Sequence, residues 1–417
     1  MRLGPKDPFR SPRAATLPIG PRATYREGMD IGEARLVGRA ELDLLMAALR
    51  RRGYRTLGPV VRSGAVVHGE VETSSDLPVG WHDHQDAGSY RLERGDDPAL
   101  FGWAVGPASW KSEFFPPRER VWRAQEGIGA GTSAIEELAA EPAPVALFGA
   151  RPCELAGLAV LDRVFDGGAV VDPGYRSRRR DTFVVVTECG TPAGTCFCSS
   201  MGTGPGASDG FDLALTELLD ESGHRFVVRT GSAAGAELLD EIDTGTVDDA
   251  TRAARDAVLS GAEAAMGRTL DTDGIAGLLA RNLDHSRWDD VAERCLSCGN
   301  CTLVCPTCFC SDVDDVTDLS GTVERHRQWS SCFDLAHSHL HGGAVRPSVR
   351  SRYRQWMTHK LSTWWDQFGT SGCVGCGRCI AWCPVGIDIT EEAAAIRASD
   401  GMAGAVRAPD SDAGAAP

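Results

Sequence analysis

The chain has little of what would take it into or across a membrane. No stretch approaches the roughly 20 consecutive apolar residues that a spanning helix needs. The opening "MRLGPKDPFRSPRAATLPIGPR" is basic and proline-rich, with no apolar centre and no twin-arginine pair. An ordinary secretory signal is therefore not expected, and residues 1–27 read as a disordered basic tail. Positive charge is short: 43 Lys and Arg against 58 Asp and Glu give a formal net charge of -15. That balance repels nucleic acid and anionic lipid surfaces. Nucleotide signatures are missing too. There is no P-loop, and the glycine-rich "GIGAGTS" and "GTGPGAS" neither spell G-x-G-x-x-G nor follow a clear strand. No nucleophile and base form a recognisable pair, so no catalytic residue is expected. What remains is a cytoplasmic chain of 417 residues, 42% hydrophobic and 24% charged, ordinary for a globular protein of two or three domains.

Cysteine is what the sequence holds in excess, with 15 residues. In a reducing compartment so many thiols read as metal ligands rather than disulfides.

Hydrophobic periodicity sets the organisation. Leu42, Leu45, Met46 and Leu49 lie at helical spacing and predict a helix over about 39–52, followed by a strand. "PVALFGA", "RPCELAGLAVLDRVF" and "DTFVVVTEC" predict strand, helix and strand, a right-handed βαβ unit with parallel strands. Further helices are expected at 211–222, 233–242, 247–265 and 273–283. Beyond Asp289 the composition turns to Cys, Trp, His and Arg. The expected fold is α+β. An N-terminal α/β domain covers 28–268, a helical two-cluster ferredoxin-like domain covers 269–398, and a disordered tail covers 399–417.

Cys295, Cys298, Cys301 and Cys305 spell C-x2-C-x2-C-x3-C before Pro306. Cys373, Cys376, Cys379 and Cys383 repeat it before Pro384. Three close thiolates can wrap one face of a cubane, and in two-cluster ferredoxins the fourth reaches the other cluster. On that rule one [4Fe–4S] cluster takes Cys295, Cys298, Cys301 and Cys383, and the other takes Cys373, Cys376, Cys379 and Cys305. The competing reading is zinc, whose ribbons use two C-x2-C pairs and need neither the third cysteine nor the proline. The segment from Pro306 to Gly372 is far longer than a compact ferredoxin inserts, and is expected to be helical.

Seven cysteines remain. Cys153 opens the helix of the βαβ unit, Cys189 ends its second strand, and Cys196 and Cys198 follow in the next loop. All four fall at the carboxyl edge of the parallel strands, where open α/β sheets place their sites. They either converge as a third metal site, an iron–sulfur cluster, or are ordinary buried thiols. Cys308, Cys310 and Cys332 pack around the first cluster or form another site. The alternating His337, His339 and His341 and the basic "YRSRRRD" read as solvated surface, and the Trp residues of "RYRQWMTHKLSTWW" as the inward side of an amphipathic helix.

Several stretches together carry a resemblance: "GARPCELAGLAVLDRVF", "DPGYRSRRRDTFVVV", "CFCSSMGTGP", "FDLALTEL" and the two cysteine runs, with "LPVGWHDHQDAGSYRL" and "GPASWKSEFFPP" upstream. Over most of 28–395 the chain resembles the iron–sulfur β subunits of sulfhydrogenase-type [NiFe] hydrogenases and the similar A subunits of anaerobic sulfite reductases. Glu154 stands where that family more often has Asp. The resemblance implies a non-catalytic electron-transfer subunit. Its partners would be a flavin- and NAD(P)-binding subunit, which carries the FAD and NAD(P), and the [NiFe] hydrogenase small and large subunits. The alternative is a siroheme-type sulfite reductase subunit in an anaerobic sulfite or sulfur reductase. A structural iron–sulfur interaction module is a third reading.

Overall fold

Residues 32–125, 134–137 and 143–400 are described by a computed structural model. In chain order the first part runs β1 (Ala34–Gly38), α1 (Arg39–Arg51), β2 (Arg55–Arg62), β3 (Ala65–Glu70), β4 (Trp81–Asp86), β5 (Ser89–Arg94), α2 (Lys111–Phe114), β6 (Arg118–Gln125) and β7 (Ala134–Glu137). It continues with β8 (Val145–Ala150), α3 (Pro152–Phe165), α4 (Pro173–Arg180), β9 (Phe183–Thr187), β10 (Leu213–Asp220), β11 (Gly223–Thr230), α5 (Ala233–Leu239), β12 (Gly245–Thr246) and α6 (Asp249–Ala264).

Eight strands form one sheet in the order β12-β1-β11-β10-β9-β8-β2-β3. The middle four, β10, β9, β8 and β2, run parallel. β8, α3 and β9 are the expected βαβ unit. Successive side chains of a strand face opposite sides, so Phe148 and Val185 pack with Leu42, Leu45, Met46 and Leu49 of α1 on one face. Leu147, Val184 and Val186 pack with Leu155, Leu158 and Leu161 of α3 on the other. A helix thus covers each face of the parallel strands.

Three expectations change. Within 211–222, expected to be a helix, Leu213–Asp220 form β10. Leu213, Ala214, Leu215 and Thr216 are all buried, because a central strand covered on both faces reads as an unbroken apolar run. "YRSRRRD" is a solvated face only in part: Arg176, Ser177, Arg180 and Asp181 are exposed. Tyr175 is buried, Arg178 donates to Phe114 O and Glu119, and Arg179 pairs with Asp162.

The third change concerns the segment between the cysteine runs, which is not wholly helical. The second part of the chain runs α7 (Ile275–Arg281), α8 (Arg287–Arg294), α9 (Asn300–Leu303), β13 (Ser311–Thr317), β14 (Thr322–Trp329), β15 (His339–Leu340) and β16 (Gly343–Ala344). Then come α10 (Val349–Thr358), a π-helical turn (His359–Thr363), α11 (Trp364–Phe368), α12 (Arg378–Ala381) and α13 (Ile389–Ala398). β13 and β14 are joined by a turn in which Asp318 accepts from Ser320 N and Thr322 N. β14 pairs with β6, giving a four-stranded sheet, β13-β14-β6-β7, that spans both parts of the chain. Of the three Trp residues expected to point inward, Trp356 and Trp364 are buried and Trp365 is exposed. His339 and His341 are exposed at the β15–β16 hairpin. The stretch "GIGAGTS" and residues 1–27 and 401–417 lie outside the described residues, whereas Ser399 and Asp400, expected in the disordered tail, bond to His285 and Arg281.

Glu188, immediately after β9, is a fully buried carboxylate. It accepts from Arg229 at 2.7 Å, Arg255 at 2.8 Å, Ala207 N at 3.2 Å and the Thr216 hydroxyl. Burial alone would raise its pKa, but the Thr216 hydroxyl and the two guanidiniums outweigh burial and hold it below the ordinary 4.5. A depressed carboxylate stabilises the fold fully above its unfolded pKa, and that contribution is lost as pH falls through the folded value. Glu188→Ala strands two cations and is expected to cost about 3–5 kcal/mol, read by urea unfolding near neutral pH. The loss relative to the parent should shrink below about pH 4.5. A cost under about 1 kcal/mol at neutral pH would show that the cluster contributes little.

Candidate metal centre

The first cysteine run begins where α8 ends: Cys295 caps the helix, its N–H bonded to Val291 O at 2.9 Å. Gly299, at φ +77°, turns the chain into α9, which carries Cys301. The second run repeats the design. Gly375 (φ +64°) and Gly377 (φ +74°) lead into α12, which carries Cys379. A Cβ at Gly375 would lie 2.6 Å from Phe197 O, and one at Gly377 would lie 2.3 Å from Thr195 O. Only glycine lets the second run press against the "CFC" loop of the N-terminal part.

Cys295, Cys298, Cys301 and Cys383 line one cavity with Phe333, Tyr353, Trp356 and Ile387, and Cys379 of the second run reaches its wall as well. Its empty volume is about 410 Å³, open mouth included. Two of the five wall thiols, Cys379 and Cys383, come from the other run, and Cys383 lies 78 residues along the chain from Cys305. Cys373, Cys376, Cys379 and Cys305 form a second neighbourhood in which the thiols act on one another electrostatically. Backbone N–H groups donate to the sulfurs in both: Ser297 N to Cys295 at 3.4 Å, Ile387 N to Cys383 at 3.3 Å and Gly375 N to Cys373 at 3.4 Å.

A buried cation serves the second group. Lys360, in the π-helical turn, sits with Nζ 3.1 Å from Cys305 Sγ, 3.2 Å from Thr307 Oγ1 and 3.4 Å from Gly372 O. Among the described residues it makes no salt bridge. π-turns recur at functional positions, and this one brings the ammonium inward. The Cys308 thiol's hydrogen bond, opposed by burial and aided by Lys360, holds the Cys305 thiol well below its ordinary pKa. Arg378, inside the second run, is 1% exposed and pairs with Glu154, 3% exposed, at 2.5 Å. It also donates to Gly106 O and Ala108 O.

Cys153, Cys189, Cys196 and Cys198, expected at one sheet edge, line a second cavity. Burial pushes the Cys153, Cys189 and Cys196 thiols up, and Cys198 up to about 12. The "GTGPGAS" turn covers this cavity through Gly204 and Pro205 rather than a nucleotide. All fifteen cysteines are free thiols. Of the other three, Cys308 shares a hydrogen bond with Cys305, and Cys310 one with Cys332, whose thiol, against burial, draws Cys310 down to about 6. Spacing gave no sign of Lys360, Arg151 or Arg378, because isolated basic residues carry no pattern.

Among the described residues no group of three or more His, Cys, Asp or Glu is set to hold a single metal ion. A zinc site needs thiolates crowded about one ion, whereas here the thiols stand apart on cavity walls. Spaced thiols, N–H donors to sulfur and an apolar lining fit an iron–sulfur cluster.

Fold and site define an iron–sulfur protein of the two-run ferredoxin type. The family described as "4Fe-4S dicluster domain" matches residues 294–387. Sulfhydrogenase 2 subunit beta of Pyrococcus furiosus is 34% identical over 283 residues, covering 67% of this chain and 79% of that protein. No solved structure matches. The chain belongs to the family of iron–sulfur β subunits of sulfhydrogenase-type hydrogenases, and its work is iron–sulfur electron transfer. No helix among the described residues is long and apolar enough to cross a membrane.

Lys360→Met removes a buried positive charge beside Cys305. Cluster potentials follow local charge and hydrogen bonding, so the midpoint of one iron–sulfur centre is expected to fall while Lys360→Arg largely preserves it. An EPR-monitored redox titration reads both. An unchanged midpoint in Lys360→Met would remove the cation from the account.

Proposed function

We propose that this chain relays electrons between a flavin- and NAD(P)-binding subunit and the small and large subunits of a [NiFe] hydrogenase core in the cytoplasm. Cys295, Cys298, Cys301 and Cys383 would hold one [4Fe–4S] cluster, and Cys373, Cys376, Cys379 and Cys305 the other. When bound, a cubane supplies reversible one-electron oxidation and reduction. The observation that carries the reading is that Cys383 shares a cavity with the three leading cysteines of the first run.

The chain's own residues do the rest. Phe333, Tyr353 and Trp356 keep water from one wall of the first cavity. The N–H donors fix the sulfurs, and Lys360 offsets negative charge at the second group. Cys298 is exposed at the same cavity as the exposed Leu296. An exposed ligand position that shares its cavity with an exposed apolar side chain gives a partner subunit a short approach. The same reading divides the chain near residue 268, with 28–268 as the α/β domain and 269–398 as the cluster-bearing domain. The relative's name supports hydrogenase over sulfite reductase as the terminal partner.

Cys383→Ser is expected to disturb the cluster of the first run and leave that of the second, and Cys305→Ser the reverse. EPR of the dithionite-reduced, anaerobically purified chain reads each. If neither the parent nor the variants show reduced-cluster signals, the relay reading is lost to a structural iron–sulfur module. If Cys383→Ser removes the second run's cluster instead, the crossed assignment is wrong.

A further inference from the structure

The four thiols at the sheet edge lie outside the matched 294–387 segment, yet their setting repeats that of the two cysteine runs. Cys153 sits in the first turn of α3, Cys189 two residues past the end of β9, and Cys196 and Cys198 in the loop that follows. Parallel strands β8 and β9 are neighbours, so their carboxyl ends deliver both sides of one pocket. All four cysteines are buried and line a cavity of about 290 Å³, open mouth included. Contact with other side chains does not set these thiols apart, since Cys198 Sγ lies 3.9 Å from Met266 Sδ; the cavity all four share does.

Charge gives a second, independent indication. Arg151 lines the same cavity and is 1% exposed. Its guanidinium donates to Ala104 O at 3.2 Å, Glu188 O at 3.4 Å, Phe101 O at 2.9 Å and Trp103 O. Among the described residues it makes no salt bridge. A buried cation is costly; Asp83 offsets part of that cost, and an anionic occupant of the cavity offsets more. Lys360 stands in the same relation to the second cysteine group. The N–H···S device recurs too, with Ala193 N donating to Cys196 Sγ at 3.4 Å. Cys153 in the first turn of α3 adds the positive end of a helix dipole.

We infer that Cys153, Cys189, Cys196 and Cys198 bind a third [4Fe–4S] cluster, with Arg151 as its buried counter-charge. The site adjoins the second run. Phe197 N donates to Gly375 O at 2.9 Å, Cys196 Sγ lies 4.0 Å from Cys376 O, and Cys198 and Cys376 belong to one apolar cluster. The third cluster therefore extends the chain's wire beyond the second centre, so that one electron at a time can leave or enter at the sheet edge. Its role as a relay rests on the proposed function. The metal site itself does not.

The test is iron and acid-labile sulfide per full-length chain, anaerobically purified, with zinc measured alongside. The parent is expected to hold about 12 irons. Cys196→Ala with Cys198→Ala is expected to hold about 8, keeping the EPR signals of the two ferredoxin-type clusters. Should that variant fail to fold, Cys189→Ser and the parent's own count serve. A parent content of about 8 irons that no substitution at these four positions changes overturns the third cluster and leaves the relay reading intact. About one zinc per chain, lost in the variants in place of iron, overturns it as well. A content of about 4 irons lost only through the Cys153 set would sustain the third cluster and overturn the two-run assignment instead.

Discussion

A single buried ion pair fixes where the redox machinery sits. Glu154, in the first turn of α3, takes Arg151 N on one oxygen and Arg378 on the other. Arg378 belongs to the second cysteine run and also holds the carbonyls of Gly106 and Ala108. One carboxylate thus ties the carboxyl edge of the sheet, the 104–108 loop and the "CVGCGRC" turn into a common unit. Either partner alone would be an unpaired buried charge, a condition that costs about 3–5 kcal/mol. The pair is a geometric specification more than a source of stability, since buried pairs repay their desolvation only when every donor is satisfied. A glutamate reaches Arg378 as an aspartate would, through one more methylene.

Once that unit is fixed, the remaining charges fall into a pattern. Anionic clusters inside a protein need positive charge or N–H dipoles near them. Lys360 meets the second group through a turn wound one residue wider than an α-helix. Lys111, also buried, donates to Leu303 O and Cys308 O and lies over the Trp329 ring. Arg151 faces the sheet-edge thiols. Desolvation works against each cation, and at Lys360 the neighbouring thiols outweigh it and raise the pKa. These cations and the cysteines account for each other.

The sequence was legible where chemistry imposes spacing. Two C-x2-C-x2-C-x3-C runs can be read without structure because three donors on one short turn have few other uses. The βαβ unit was legible because "PVALFGA" and "FVVV" are short apolar strands on either side of a helix with a leucine face. The strand at Leu213–Asp220 was not, because a strand buried on both faces loses its alternation and imitates a helix. Nor was the β13–β14 hairpin, whose pairing partner, β6, lies almost 200 residues earlier. Lys360 and Arg151 were invisible for a different reason. A buried cation is defined by what surrounds it, and nothing local in "THKLS" or "ARPCE" records that surrounding.

A relay subunit must pass electrons through its clusters during turnover, and freeze-quench EPR of the assembled complex under hydrogen follows them. Reduced-cluster signals from this subunit are expected to appear at least as fast as the complex turns over. Clusters that stay oxidised, or reduce only after many turnovers, would contradict the relay.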